Sequence, residues 1–107
     1  MAGRSLKNPR EFKAVYSSKN KAFGKYFFVA WKKAKSMSMR LGLTVSSKVG
    51  NAVTRNRIKR VLREIVRANK KSFPAAEVVI TARVGAGDIS NEEVRKEISS
   101  LIKKVHA

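Results

Sequence analysis

The sequence has no cysteine, which excludes disulfides and thiolate metal sites. It has one aspartate, Asp88, and one histidine, His106. A protein nuclease needs a cluster of metal-binding carboxylates or a matched acid and base. Neither is in view: Glu92 and Glu93 are accounted for by a helix start, and His106 reads as a frayed-end residue. No catalytic residue is assigned, and no metal site can be named. Gly85-Ala86-Gly87 lacks the Lys-Ser/Thr that completes a phosphate loop. No apolar run approaches the ~20 residues of a membrane span, and the first residues lack the apolar core of a signal peptide. The expectation is a cytoplasmic protein with no membrane partner.

Acids are the other scarcity. Seven stand against 25 lysines and arginines, a net charge of +18 on 107 residues. The imbalance is local. Residues 1–63 carry 17 basic groups and a single acid, Glu11, whereas residues 64–107 carry eight basic and six acidic groups. A 43% hydrophobic fraction is ordinary for a globular chain, and the length fits one domain, residues 1–107, with 1–7 as a flexible basic lead-in. So large a field on one part of a fold is self-repulsive until a polyanion neutralises it, and nucleic acid is the usual one.

Asn8-Pro9-Arg10-Glu11 has the form of a helix start, with Asn8 as cap, Pro9 in first position and Glu11 closing a capping box. Phe12, Val15 and Tyr16 then share one face of a helix of about ten residues. Ser17 to Lys21 read as turn. Tyr26 to Lys33 and Arg40 to Ser47 read as strands, joined by a loop at 35–39 and expected to form an antiparallel pair. A short strand before Gly24 is an option. A helix is expected from Asn51 to about Lys71, stopped by Pro74. Glu77 to Val84 reads as a buried strand, and Ser90 to Glu93 cap a last helix with Val94, Ile98, Leu101, Ile102 and Val105 on its apolar face. This order predicts an α+β, two-layer sandwich, with helices packed on a small mixed sheet.

The stretch Lys48-Val49-Gly50-Asn51-Ala52-Val53-Thr54-Arg55-Asn56-Arg57-Ile58-Lys59-Arg60-Val61-Leu62-Arg63 carries the chemistry. At 100° per residue Ile58, Val61, Leu62, Ile65 and Val66 fall within one arc, and Arg57, Lys59, Arg60, Arg63, Arg67 and Lys70 fall on the opposite half. A charged stripe is ordinarily a solvated face. Solvated faces mix signs, however, and Arg55, Lys59, Arg63 and Arg67 repeat one sign every four residues, which destabilises an isolated helix. An external anion explains the pattern better. The helix N-terminus at Asn51 adds free N–H groups, arginine adds bidentate bonding, and Asn56 can either read a base edge or 2′-hydroxyl or help start the helix.

That string resembles the signature of the bacterial ribonuclease P protein family, with Arg55-Asn56-Arg57 in the place of its Arg-Asn-Arg motif. Asn8 to Tyr16 is similar to the family's first helix. Arg40 to Ser46 and Val78 to Arg83 are similar to the strands flanking the motif. The resemblance implies a four-stranded mixed sheet with three helices in the order α-β-β-β-α-β-α, a ribosomal protein S5 domain 2-like fold with a left-handed βαβ crossover. It implies an accessory protein that binds ribonuclease P RNA and the 5′ leader of precursor tRNA, with Mg2+ held by the RNA and no cofactor or obligate protein partner of its own. Carried over by position, Lys48, Asn51, Arg55, Asn56, Arg57, Lys59, Arg60, Arg63 and Arg67 would bind RNA. Phe12 and Tyr16 would line the leader cleft with Lys48 near its edge; core packing is the alternative for both, and explains Tyr16 equally well. The family can place an aromatic of the first long strand in this cleft. Ala30 takes that position here, leaving Tyr26 and Phe28 as the aromatics expected on the same face. Composition alone would also fit a ribosomal or other structural RNA-binding protein, or a nucleoid-type DNA binder.

Overall fold

The computed structural model describes residue 6 and residues 8–34, 39–69 and 75–105. The lead-in at 1–5 and 7, the loop at 35–38, Lys70, Lys71, Pro74 and His106 lie outside the described residues. The first helix, α1, spans Pro9–Tyr16, eight residues rather than ten. Its capping box is complete, with Asn8 and Glu11 each serving the other's backbone. Strands β1 (Asn20–Phe23) and β2 (Phe27–Lys33) form a hairpin in which Asn20 faces Trp31 and Phe23 faces Phe28. The optional strand is therefore present and takes in Asn20 and Lys21, read from sequence as turn. Then come β3 (Arg40–Thr44), α2 (Ala52–Ala68), β4 (Ala76–Ala82), a 3-10 turn (Ala86–Asp88) and α3 (Asn91–Ile102).

The sheet order is β1-β2-β4-β3. The expected β2–β3 pairing is not formed. Both strands flank β4 instead, β2 antiparallel to it and β3 parallel. The reason is in β4 itself. Five successive residues, Ala76 to Ile80, are buried, so this strand needs cover on both faces and a partner on both edges. A β2–β3 hairpin would have pushed it to the rim. The parallel β3–β4 pair then needs a crossover, which α2 supplies.

Alternation along the strands makes two cores. Phe27, Val29 and Trp31 of β2 and Val78 and Ile80 of β4 pack against Ile58, Val61, Leu62, Ile65 and Val66 of α2 and Val94, Ile98 and Leu101 of α3. This sheet-and-helix pair is the two-layer body. On the other face Ala30 and Val79 pack with Leu6 and Val15, partly covered by Phe12 and Tyr16, so α1 roofs a fraction of that surface. Leu6 is no part of a loose lead-in: it is buried, and its N–H donates to the Leu41 carbonyl at the β3 edge (2.9 Å).

Asn51 caps α2 by accepting from the Thr54 N–H (2.9 Å). The helix ends at Ala68, before the predicted Lys71, because the Asn69 side-chain amide donates to the Ile65 carbonyl (2.8 Å) and closes the last turn. Ser90 caps α3 by accepting from the Glu93 N–H. Midway along α3, Glu97 reaches back to the hairpin, where its carboxylate accepts the N–H groups of Tyr26 (2.9 Å) and Phe27 (2.7 Å). Gly24 makes room for it, since a Cβ there would lie 2.6 Å from the carboxylate oxygen.

Candidate RNA interface

The apolar arc read from sequence is the buried face of α2, residue for residue. On the outer side Asn56, Arg60, Arg63 and Arg67 are exposed, and Lys48 and Asn51 are exposed just before the helix. Arg55 and Lys59 stand together on one flank, half-buried. The Arg55 Nε is buried and has no hydrogen-bond partner within the described residues.

Arg57 departs from the expectation of an outward cation. It falls on the flank nearest α3, where its guanidinium donates to Asn91 Oδ1 and to the Gly87 carbonyl (3.1 Å). Gly87 in turn presses on the loop before α2, because a Cβ there would meet the Val49 carbonyl at 2.4 Å. Arg57 thus straps the start of α2 to the start of α3. Glu64 lies on the same flank and pairs with Arg95 at 3.6 Å, a half-exposed contact of small energetic worth.

The far face of the sheet has two ends. At one end Arg40 pairs with Glu11 of α1 and with Glu77 (3.2 Å), and Lys32 pairs with Glu77 (3.4 Å). Hydrogen bonding to the Glu11 carboxylate raises the Arg40 pKa above its usual value, against a smaller opposing effect of burial. At the other end β3, β4, β2 and β1 place Thr44, Thr81, Phe28 and Phe23 side by side. The Tyr16 hydroxyl shares hydrogen bonds with Thr44 Oγ1 (2.7 Å) and Thr81 Oγ1 (2.9 Å). Its ring centroid lies 6.3 Å from that of Phe28, and Phe28 stacks on Phe23 at 5.6 Å and 29°. The Arg83 guanidinium stands over both phenylalanines, 5.4 Å from one ring and 5.5 Å from the other. Phe23 is 61% exposed. An exposed ring row under an arginine, rimmed by hydroxyls, is a surface on which unpaired bases can stack.

A model of the family described as Ribonuclease P matches residues 2–106. The chain belongs to the ribonuclease P protein family. It is 40% identical over 104 residues to the ribonuclease P protein component of Citrifermentans bemidjiense, covering 97% of this chain and 89% of that one. With the component of Clostridioides difficile it shares 36% over 103 residues, 94% and 90% of the two chains. The RNase P protein of Staphylococcus aureus matches with a TM-score of 0.89 at 29% identity over 94% of each chain. That of Thermotoga maritima gives 0.85 at 28% identity over 97% and 99%. Family membership makes this chain the protein subunit of ribonuclease P, an RNA-binding component of tRNA 5′ maturation.

Within that family frame the residues named from sequence do not all come together. Lys48, Asn51, Arg55, Asn56, Lys59, Arg60, Arg63 and Arg67 share α2 and its entry loop, while Arg57 turns inward. Tyr16 and Phe28 meet on the far face. Phe12 lies on the same helix but is half-buried over Gly42, where a Cβ would meet its ring at 2.7 Å, so it packs α1 onto the sheet. Tyr26 does not join them. Residue 26 precedes β2 in the hairpin turn, where strand alternation does not hold, and its ring packs toward the α2–α3 core and Gly85. Sequence reading missed Phe23 and Arg83 as partners of Phe28. For Arg83 the signal was the two-residue period, which puts it beyond Thr81 on one face of β4. Among the described residues, no group of three His, Cys, Asp or Glu could hold a metal ion, and no helix is long and apolar enough to cross a membrane.

Proposed function

We propose that the outer side of α2 anchors the chain to ribonuclease P RNA while the Tyr16–Phe28–Phe23 row holds the 5′ leader of precursor tRNA. The observation that carries this reading is Arg83 standing over two stacked rings at the open end of the sheet face. A leader of variable sequence calls for π-faces and cations, which accept any base. Lys48 lies four residues beyond Thr44 and so links the row to the α2 entry loop. Arg55, Asn56, Lys59, Arg60, Arg63 and Arg67 supply phosphate contacts whose strength falls with salt. Arg57 serves as a positioning residue, setting the angle at which α2 leaves its entry loop.

The protein's part is to bind, orient and shield charge. The bond is cut in an RNA active site served by Mg2+, and the setting is the cytoplasm, where precursor tRNA is processed. The experiment is reconstitution with the catalytic RNA at low magnesium. Wild-type protein should accelerate precursor cleavage over RNA alone, and Phe28→Ala should lose most of that gain for a leader-bearing substrate. Cleavage no faster with the protein than without it would end this reading.

A further inference from the structure

The ring row does not stop at the edge of the sheet. Phe23, its outermost member, also lines a groove of about 620 Å3 between the β1–β2 turn and α3. Lys25 and Tyr26 form one wall of this groove, and Lys96 and Lys104 stand on the other. The Lys25 ammonium lies 5.3 Å from the Tyr26 ring centroid, and all three lysines are exposed. Two acids also line the groove. Glu97 is committed to the backbone of Tyr26 and Phe27, where it fixes the turn. Glu93 lies in the first turn of α3, away from the C-terminal end where Lys104 follows the helix.

We propose that this groove is a second subsite for the leader, taking nucleotides further upstream than those on the Tyr16–Phe28–Phe23 row. The proposal rests on the row as leader platform and extends it around the hairpin tip. A strand crossing from β3 to β1 passes three strand spacings of ~4.8 Å, or ~14 Å. The three rings along it lie 6.3 and 5.6 Å apart, so at one base per ring the row takes about three to four nucleotides. The next ones run off Phe23, and the surface they meet holds an aromatic ring and three cations. Tyr26 lines the groove with a partly buried ring, and Lys25, Lys96 and Lys104 offer the phosphates charge. Glu93 opposes phosphate at the other end and gives the path a direction. Single-stranded RNA is the occupant because rings and cations continue here the chemistry of the surface that precedes them.

The test uses reconstituted holoenzyme with precursor tRNAs whose leaders are about three and about ten nucleotides long, on either side of the length the row covers. Substrate affinity is measured against salt for wild type, for the triple variant Lys25→Ala/Lys96→Ala/Lys104→Ala and for Phe28→Ala. Wild type should bind the long leader more tightly. The triple variant should lose roughly fivefold per phosphate at ~0.1 M salt on the long leader only, with the salt slope falling by about 0.7 per contact. Equal affinity of wild type and triple variant for the long leader would overturn the proposal. So would an equal loss on both leaders, which would assign the groove to the catalytic RNA instead. Failure of Phe28→Ala to weaken either leader would strike the platform reading itself, a separately visible result.

Discussion

The two ends of the far sheet face are built from the same four strands yet treat cations in opposite ways. At one end Arg40 and Lys32 are matched by Glu11 and Glu77, and Glu77 is 8% exposed. At the other, Arg83 meets aromatic rings in place of carboxylates. Residues 1–63 have one acid in all, and the fold spends it on pinning α1 to β3 at the closed end. Neutralised charge holds the helix, and charge left over rings is available to a ligand. The difference separates stability from binding along a single surface.

The largest expected effect breaks the closed end. Arg40→Ala removes the cation that Glu11 and Glu77 share, leaves Glu77 with Lys32, and should cost about 2–3 kcal/mol of stability. Urea unfolding measures it, and a loss confined to RNA affinity would contradict the division of labour. At the open end Phe28→Ala should weaken leader binding by about 2 kcal/mol, the worth of one stacked base, with a smaller fall in unfolding free energy. Equilibrium binding to precursors with and without a leader separates the two. Arg57 and Arg60 sharpen the comparison on α2. Arg57→Lys keeps the charge but loses the two-acceptor strap, costing about 1 kcal/mol of stability and leaving the salt slope of RNA binding in place. Arg60→Ala should do the reverse, lowering that slope by about 0.7–0.9 with little change in unfolding. The smallest effect is Tyr16→Phe, which removes the hydroxyl shared with Thr44 and Thr81 and should cost about 1 kcal/mol by thermal melting.

Much of this was legible in the sequence because α2 and α1 announce themselves locally. The apolar arc of α2, the Asn51 cap and the Asn8–Glu11 box depend on residues within a few positions of each other. What stayed hidden depends on distance along the chain. The β2–β4 pairing joins residues about fifty apart, and a two-residue period cannot say which strand is the neighbour. Arg57 looked outward because helical angle alone does not show that α3 begins beside it. Tyr26 looked like a cleft residue because the strand was drawn one residue too long. Phe23 escaped notice since a four-residue strand is too short to display its alternation.

The central place of β4 has a consequence for how the protein comes to exist. Almost every cation of the α2 surface, and every ring of the platform, is synthesised before residues 76–82. Until that strand inserts, β2 lacks its inner partner and β3 has no strand partner. A nascent chain at that stage carries the charge that attracts RNA without the surface that selects it. Closure is a late, long-range step of the kind that folds slowly. The order of synthesis therefore makes the newborn chain adhesive first and discriminating last, and β4 is the point at which one becomes the other.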